Sequence, residues 1–305
     1  MLDFLLPSRI AKALDNINPK TIIEVRIRVG RPVQVLTNKF YYLKDNGLTT
    51  DGNNSLFCTF QEINDLVFKA CNQSIFAHND ELKQGFLTLN NGMRLGIAGE
   101  IVSENGCVKT IKNFSSINIR FAKEIKNCSL NSLKFLCEDN KFLSSLIISP
   151  PNCGKTTFIR DLCYQLSTRK IENNILVVDE RNEICASVNG VPTLDVGESV
   201  DAYSWCTKEF GVVNGIRTMS PDLIILDEIS TKNDLEALNY AVASGVKIIA
   251  TTHSQDFYTL KQKPLFKDFC FDCVFDRFIV LSKENGFGTV DSIYNNAGVC
   301  IFCGG

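Results

Sequence analysis

Nine residues, Ser149, Pro150, Pro151, Asn152, Cys153, Gly154, Lys155, Thr156 and Thr157, constrain the fold of this 305-residue chain more than any other segment. They follow the apolar run Leu146–Ser149 and lead into a helical pattern over Lys155–Leu166. That setting, strand then loop then helix, is what a phosphate-binding Walker A loop requires. In such a loop, backbone N–H groups and the helix N-terminus surround the β-phosphate of a nucleotide, and Gly154 lets the backbone come close. Lys155 reaches the β- and γ-phosphates, and the Thr156 hydroxyl binds Mg²⁺. The sequence departs from the G-x-x-x-x-G-K-[ST] pattern at one place, where Ser149 stands for the first glycine. Serine is tolerated there provided its φ is negative. The bland alternative is an accidental Gly-Lys-Thr in an ordinary strand-to-helix turn, and the downstream acids weigh against it.

Those acids end apolar runs. Leu223–Leu226 leads into Asp227 and Glu228. In a P-loop sheet the end of the neighbouring strand lies beside the phosphates, so Asp227 is expected to hold the Mg²⁺ shell and Glu228 to polarise the attacking water. The second carboxylate favours a hydrolase over a kinase. Leu176–Val178 leads into Asp179, Glu180, Arg181, Asn182 and Glu183, a cluster that by itself reads equally well as a solvated loop. His253 closes the run Ile248–Thr252. His78 has no partner motif and reads as structural. A lone histidine is more often structural, so only its place at a strand end recommends His253 for the site.

Two styles of patterning meet near residue 140. Before it the apolar residues alternate: Ile23, Val25, Ile27 and Val29 face one way, Glu24, Arg26 and Arg28 the other, as in a half-buried strand. Asn91-Gly92 between Phe86–Leu89 and Met93–Ile97 predicts a tight hairpin, and Gln61–Asn72 carries a helical stripe. After residue 140, continuous apolar runs alternate with helical segments, which predicts a mainly parallel sheet with helices on both faces. The expected architecture is α/β: a smaller N-terminal α+β domain, residues 1–138, then a P-loop, RecA-like domain, residues 139–305, with the boundary inside Lys126–Asn140.

Bulk properties narrow the function. Apolar residues are 45 % and charged residues 22 % of the chain, the balance of a globular protein able to bury two cores. The net charge is −2 with a pI near 5.8, so no global basic field recommends nucleic acid as partner. The N-terminus carries Asp3 and stops its apolar run at Pro7, unlike a signal peptide, and no stretch approaches the ~18 apolar residues of a membrane span. A cytoplasmic location is expected, with most of the 13 cysteines, such as Cys58, Cys71, Cys137, Cys163 and Cys185, serving as reduced small hydrophobes. Cys270-x-x-Cys273 and Cys300-x-x-Cys303 have the spacing of a zinc knuckle, but 26 residues separate the pairs, beyond the ~15–20 of a ribbon, so zinc is not the expected occupant.

In order, the motifs resemble those of the secretion-ATPase superfamily, the hexameric motors of type II secretion and type IV pili, and within it a branch from spore-forming bacteria. The resemblance runs from Thr21 to about Val290 and includes Glu24–Pro32, Gly92–Gly99, the P-loop, Val178–Ile184 and Asp222–Ser230. It implies that Asp179, Glu180 and Glu183 form an acidic box, Glu228 is the Walker B glutamate, and His253 senses the γ-phosphate region. It implies a hexameric ring in which arginines are supplied to the nucleotide, with Arg94, Arg120 and Arg217 as candidates. It also implies an ATP- and Mg²⁺-using motor on the mother-cell side, peripherally associated with membrane proteins of a sporulation channel between mother cell and forespore. Two other readings stay open from residues alone: a RecA-like motor on nucleic acid, and an ATP-binding assembly scaffold that does not hydrolyse, for which Ser149 is the best support.

Overall fold

The computed structural model describes the chain apart from residues 1–3, 90–92, 105, 122–124, 140, 152, 169–173, 284–285, 287 and 305. The predicted Asn91-Gly92 turn and Asn152 of the phosphate loop lie outside the described residues. The chain divides into two compact units, Met1–Lys123 and Glu124–Gly305.

The first unit is a seven-stranded antiparallel sheet with helices. Its strands are β1 (Glu24–Arg28), β2 (Gln34–Leu36), β3 (Phe40–Lys44), β4 (Gly47–Thr49), β5 (Phe86–Thr88), β6 (Arg94–Glu104) and β7 (Cys107–Arg120), in the order β4-β3-β2-β1-β7-β6-β5. The period-two pattern decides which face is buried. Val25 and Ile27 of β1, Val35 of β2, Leu95 of β6 and Ile117 and Ile119 of β7 join one core with α1 (Ser8–Asp15), α2 (Phe60–Ala70) and α3 (Asn79–Lys83). Ile63, Leu66 and Val67 are the stripe that α2 contributes. Its start is fixed by a capping box in which the Thr59 hydroxyl accepts from the Glu62 N–H and the Glu62 carboxylate accepts from the Thr59 N–H, an arrangement worth about 1 kcal/mol. The predicted β5–β6 hairpin pairs with Thr88 opposite Arg94 and Phe86 opposite Gly96.

The second unit begins with α4 (Leu133–Leu136) and a small hairpin, β8 (Cys137–Glu138) and β9 (Lys141–Phe142). Its main sheet comprises β10 (Ser145–Ser149), β11 (Ile175–Asp179), β12 (Val200–Ser204), β13 (Leu223–Glu228), β14 (Lys247–His253), β15 (Arg277–Ser282), β16 (Thr289–Asn295) and β17 (Cys300–Cys303). The order is β12-β11-β13-β14-β10-β15-β16-β17, parallel through β15 and antiparallel for the last two strands. The helices are α5 (Lys155–Ser167), α6 (Lys208–Met219), α7 (Lys232–Ala243), α8 (Phe257–Lys261) and α9 (Phe271–Val274).

Continuous hydrophobicity in the strands has a simple cause: both faces are covered. Leu146, Ile148, Leu176, Val178, Ile224 and Leu226 join a core with Val212 of α6, Leu235 and Leu238 of α7 and a cluster of phenylalanines from Phe257 to Phe278. The intervening residues Ile147, Ile175, Val177, Ile225 and Ile249 join another with Phe158, Ile159 and Leu162 of α5.

Two features differ from the sequence reading. The segment after residue 125 packs with the second unit, because Asp161 of α5 accepts from the N–H groups of Asn127 and Ser129, and Leu133 and Leu136 sit in the α5 core. The division therefore precedes the change of patterning near residue 140. The strand carrying Asp227 and Glu228 is also not the neighbour of the P-loop strand: β14 pairs with both β10 and β13 and lies between them.

Candidate nucleotide site

The C-terminal ends of parallel strands are where loops converge in an open α/β sheet. Here β10, β13 and β14 end around a cleft of about 410 Å³. Its walls include Cys153, Gly154, Lys155, Thr156 and Thr157 from the loop and α5, Arg181 and Glu183 from the segment after β11, Asp227 and Glu228 from β13, and Thr251 and His253 from β14.

The loop is built by its residue types. Ser149 is the last residue of β10, fully buried, and its hydroxyl donates to the Pro150 carbonyl at 2.9 Å. It is not among the residues at positive φ, so serine fits where the pattern has glycine. Gly154 stands at φ 86°, ψ 24° immediately before α5, in left-handed space that a side chain would strain. Beyond Pro150 and Pro151, the Cys153 thiol turns inward and its carbonyl accepts from the Gly288 N–H at 2.8 Å.

The position of β14 puts His253 between the P-loop and the carboxylates. Lys155 Nζ contacts both ring nitrogens, at 3.0 Å for Nε2. His253 Nδ1 lies 3.2 Å from the Ser149 carbonyl, and Nε2 lies 3.6 Å from Glu228 Oε2. Lys155, His253 and Glu228 thus form a chain along the cleft, and Arg181 Nη1 approaches the same Glu228 Oε2 at 4.0 Å. Burial pulls the Lys155 amine down to about 8, against the pull of Glu228 in the other direction.

The acidic segment is organised rather than solvated. Asp179 is completely buried and accepts from three backbone N–H groups, Glu183 at 2.8 Å, Ile184 at 3.0 Å and Cys185 at 2.8 Å, which fixes the turn after β11. Burial nevertheless pushes its carboxyl up to about 6. Arg160 on α5 clamps the same turn from inside, donating to the carbonyls of Ile184 at 2.7 Å and Glu183 at 2.6 Å. Glu183 is thereby held on the cleft wall, whereas Glu180 is not: it turns to Lys208.

Lys208, the first residue of α6, escaped the sequence reading. Its side chain is only 2 % exposed and its ammonium contacts Glu180, Asp227 Oδ1 at 2.8 Å and Asp234 Oδ1 at 4.0 Å. Burial raises the Asp227 carboxyl and Lys208 opposes that rise; the lysine itself, which burial alone would lower, is held above its ordinary value by these acids. A lysine at the positive end of a helix dipole is the one sequence signal that could have flagged it. Arg160, inside an apolar helix face, is a second.

The remaining predicted residues lie elsewhere. Arg217 is exposed near the C-terminal end of α6, nine residues or ~13 Å along the axis from Lys208. Arg94 and Arg120 belong to the first unit, opposite one another on β6 and β7; Arg94 lies over the Phe86 ring and Arg120 Nε donates to Glu24 at 3.3 Å. Cys58, Cys71, Cys163 and Cys185 are buried free thiols, as expected, but Cys270 and Cys273 are joined in a disulfide at the start of α9. Cys300 and Cys303 sit apart from α9 in sequence on the edge strand β17, and among the described residues no group of three or more His, Cys, Asp or Glu gathers to hold a metal.

A family model described as "Sporulation stage III, protein AA" matches residues 2–301. Stage III sporulation protein AA of Bacillus subtilis is 35 % identical over 302 residues, 96 % of this chain and 94 % of that protein. Among solved structures, the Legionella pneumophila ATPase DotB superposes with a TM-score of 0.59 at 15 % identity, covering 90 % of this chain and 76 % of that one. The pilus retraction motor PilT, solved with bound ADP, gives a TM-score of 0.60 at 14 % identity, covering 89 % and 76 %. At such identities the likeness is one of fold, here the RecA-like secretion-ATPase fold.

Proposed function

The chain belongs to the sporulation stage III, protein AA, family, and from that premise we propose that it is a Mg²⁺-dependent ATPase of the secretion-motor type. The observation that carries the proposal is the convergence of Lys155, Thr156, Asp227, Glu228 and His253 on one cleft at the N-terminus of α5.

Each residue has work that its position permits. The loop N–H groups and the start of α5 receive the β-phosphate, and Gly154 keeps the approach open. Lys155 supplies a cation to the β- and γ-phosphates, leaving His253 to do so. Mg²⁺ fits this chain: Thr156 offers a hydroxyl and Asp227 a largely buried carboxylate on the same cleft, whose Oδ1 holds the Lys208 ammonium at 2.8 Å and whose Oδ2 meets the Arg181 N–H at a weak 3.4 Å, which leaves it acceptor capacity for a hard cation. Held there, Mg²⁺ would neutralise charge on the phosphates. Glu228 takes the proton from the attacking water, and His253, 3.6 Å away, orients that carboxylate and lies where the γ-phosphate region would be read. Glu183, also on the cleft wall, is the acidic-box carboxylate proposed to act beside them.

Ser149 does not favour the non-hydrolysing scaffold, because its backbone is extended strand. The chain is proposed to act as a homo-oligomeric ring, with Arg94, Arg120 and Arg217 as the arginines that a neighbouring copy would present. Its place is then the mother-cell cytoplasm, against membrane proteins of a sporulation channel; no helix of the described residues is long and apolar enough to cross a membrane itself. Purified protein should bind ATP, hydrolyse it only with Mg²⁺, and shift to a ring-sized mass when ATP is added. Protein that binds no ATP in any assembled state would remove the proposal; preferential, salt-sensitive binding of single-stranded nucleic acid would replace the transport reading with a nucleic-acid motor.

A further inference from the structure

We infer that Lys208 is a positioning residue, a buried internal cation that locks Asp227 into its metal-facing place by tying it to the acidic segment and to α7. The inference rests on the ATPase reading above and adds a residue that the phosphate-loop and carboxylate motifs do not contain.

Two local rules are broken at once. A lysine at the first position of a helix faces the positive end of the helix dipole. An ammonium with a 2 % exposed side chain has given up its water, which is tolerated only when carboxylates replace it. Three do, and they come from three separate elements: Glu180 follows β11, Asp227 is next to last in β13, and Asp234 is in the first turn of α7. Asp234 is fixed in turn, because its Oδ2 accepts from the N–H groups of Ser230 and Thr231 at 2.8 and 2.9 Å. The α6 N-terminus is held in reach by the Thr207 cap, whose hydroxyl accepts from the Phe210 N–H, and by Gly211, which lets the helix lie close on Val178.

The consequence concerns Asp227. Among the described residues its other oxygen has one distant donor, the Arg181 N–H at 3.4 Å, so the ammonium is the strong restraint on this carboxylate. Glu180 is drawn to the same cation and away from the cleft, which leaves Glu183 as the acidic-segment carboxylate on its wall. Without Lys208, Asp227 is a buried acid with no counter-charge and no fixed direction, while the phosphate loop, two strands away across β14, is untouched. The loss should therefore fall on metal use and not on nucleotide capture as such.

The full-length protein is tested as Lys208→Met and Lys208→Arg, measuring ATP binding in EDTA and again across a Mg²⁺ titration, together with kcat and KM. ATP binding without metal should stay within about twofold of wild type, while the Mg²⁺ concentration for half-maximal response rises about tenfold or more and kcat falls with little change in KM; removing partners behind a ligand typically has effects of this size. Lys208→Arg should recover part of the Mg²⁺ response, since charge returns in an altered geometry. If Lys208→Met does not fold, Lys208→Arg carries the same readout and should still require more Mg²⁺ than wild type. Folded variants with a wild-type Mg²⁺ response, or ones that lose metal-free ATP binding in parallel, overturn the inference. Wild-type protein that ignores Mg²⁺ would instead sink the ATPase reading itself.

Discussion

Substituting Gly211 by alanine should destabilise the second unit, although alanine is the better helix former. A Cβ built on Gly211 would stand 2.4 Å from Val178 Cγ1, 2.9 Å from Cγ2 and 3.2 Å from Cys206 Sγ. Carbon atoms rest at ~3.5–4.0 Å, so helix and strand must part by roughly 1 Å. Val178 is fully buried and β-branched, and both its methyl groups oppose the new one, so no rotamer relieves the clash. Overpacking of this kind costs about 1–3 kcal/mol, and the absence of an escape places it near the top of that range. Replacing glycine inside a helix returns about 1 kcal/mol, leaving a net loss of about 2 kcal/mol. Trp205 is the chain's single tryptophan and lies in this unit, so its fluorescence in urea follows the relevant transition. Gly211→Ala/Val178→Ala should be more stable than the sum of the two single changes by at least about 1 kcal/mol, because the added methyl then fills space that Val178 vacated. Because Lys208 lies three residues earlier on α6, the single variant should also need more Mg²⁺ for nucleotide binding. A Gly211→Ala protein that unfolds at the same or higher urea than wild type would refute the reasoning.

Other perturbations are as direct. Gly154→Ala places a side chain at φ 86°, a strain of about 1–2 kcal/mol, and ATP affinity measured by calorimetry should fall about tenfold; unchanged affinity would mean that the loop is not held in this conformation. Asp179, raised by burial from 3.8 to about 6, keeps its proton in the folded state across a range where the unfolded chain has released it. Stability from this group is thus full below about pH 4 and is lost as pH rises through about 6, by on the order of 3 kcal/mol. In Asp179→Asn that slope disappears, so the advantage of wild type in urea unfolding should be smaller at pH 7 than at pH 4.5; a difference independent of pH would contradict the assignment.

Much of this architecture is written locally. Leu146–Ser149, the loop and Lys155–Leu166 state strand, turn and helix within some twenty residues, and the switch from alternating to continuous apolar runs separates one covered face from two. What stays hidden is whatever depends on distant partners. No residue in Lys247–His253 announces that β14 will lie between β10 and β13, yet that order is what brings His253 between Lys155 and Glu228. Val200–Ser204 gives no strand pattern because β12 is a half-exposed strand that, among the described residues, pairs only with β11. Lys208 reads as a surface residue until three carboxylates, 28 positions before it and 19 and 26 after it, are seen around it. Asn127 and Ser129 look like linker until Asp161 takes up their N–H groups.

The most direct test of the account is to measure ATP binding and ATP hydrolysis side by side in wild type and Glu228→Gln, with Mg²⁺ present. Glutamine keeps the size of the side chain but cannot take a proton from water, so turnover should fall by about 10²-fold or more while ATP still binds with near wild-type affinity. Equal hydrolysis by the two proteins, or binding without hydrolysis by either even when assembled, would contradict the claim that this cleft is a hydrolytic site.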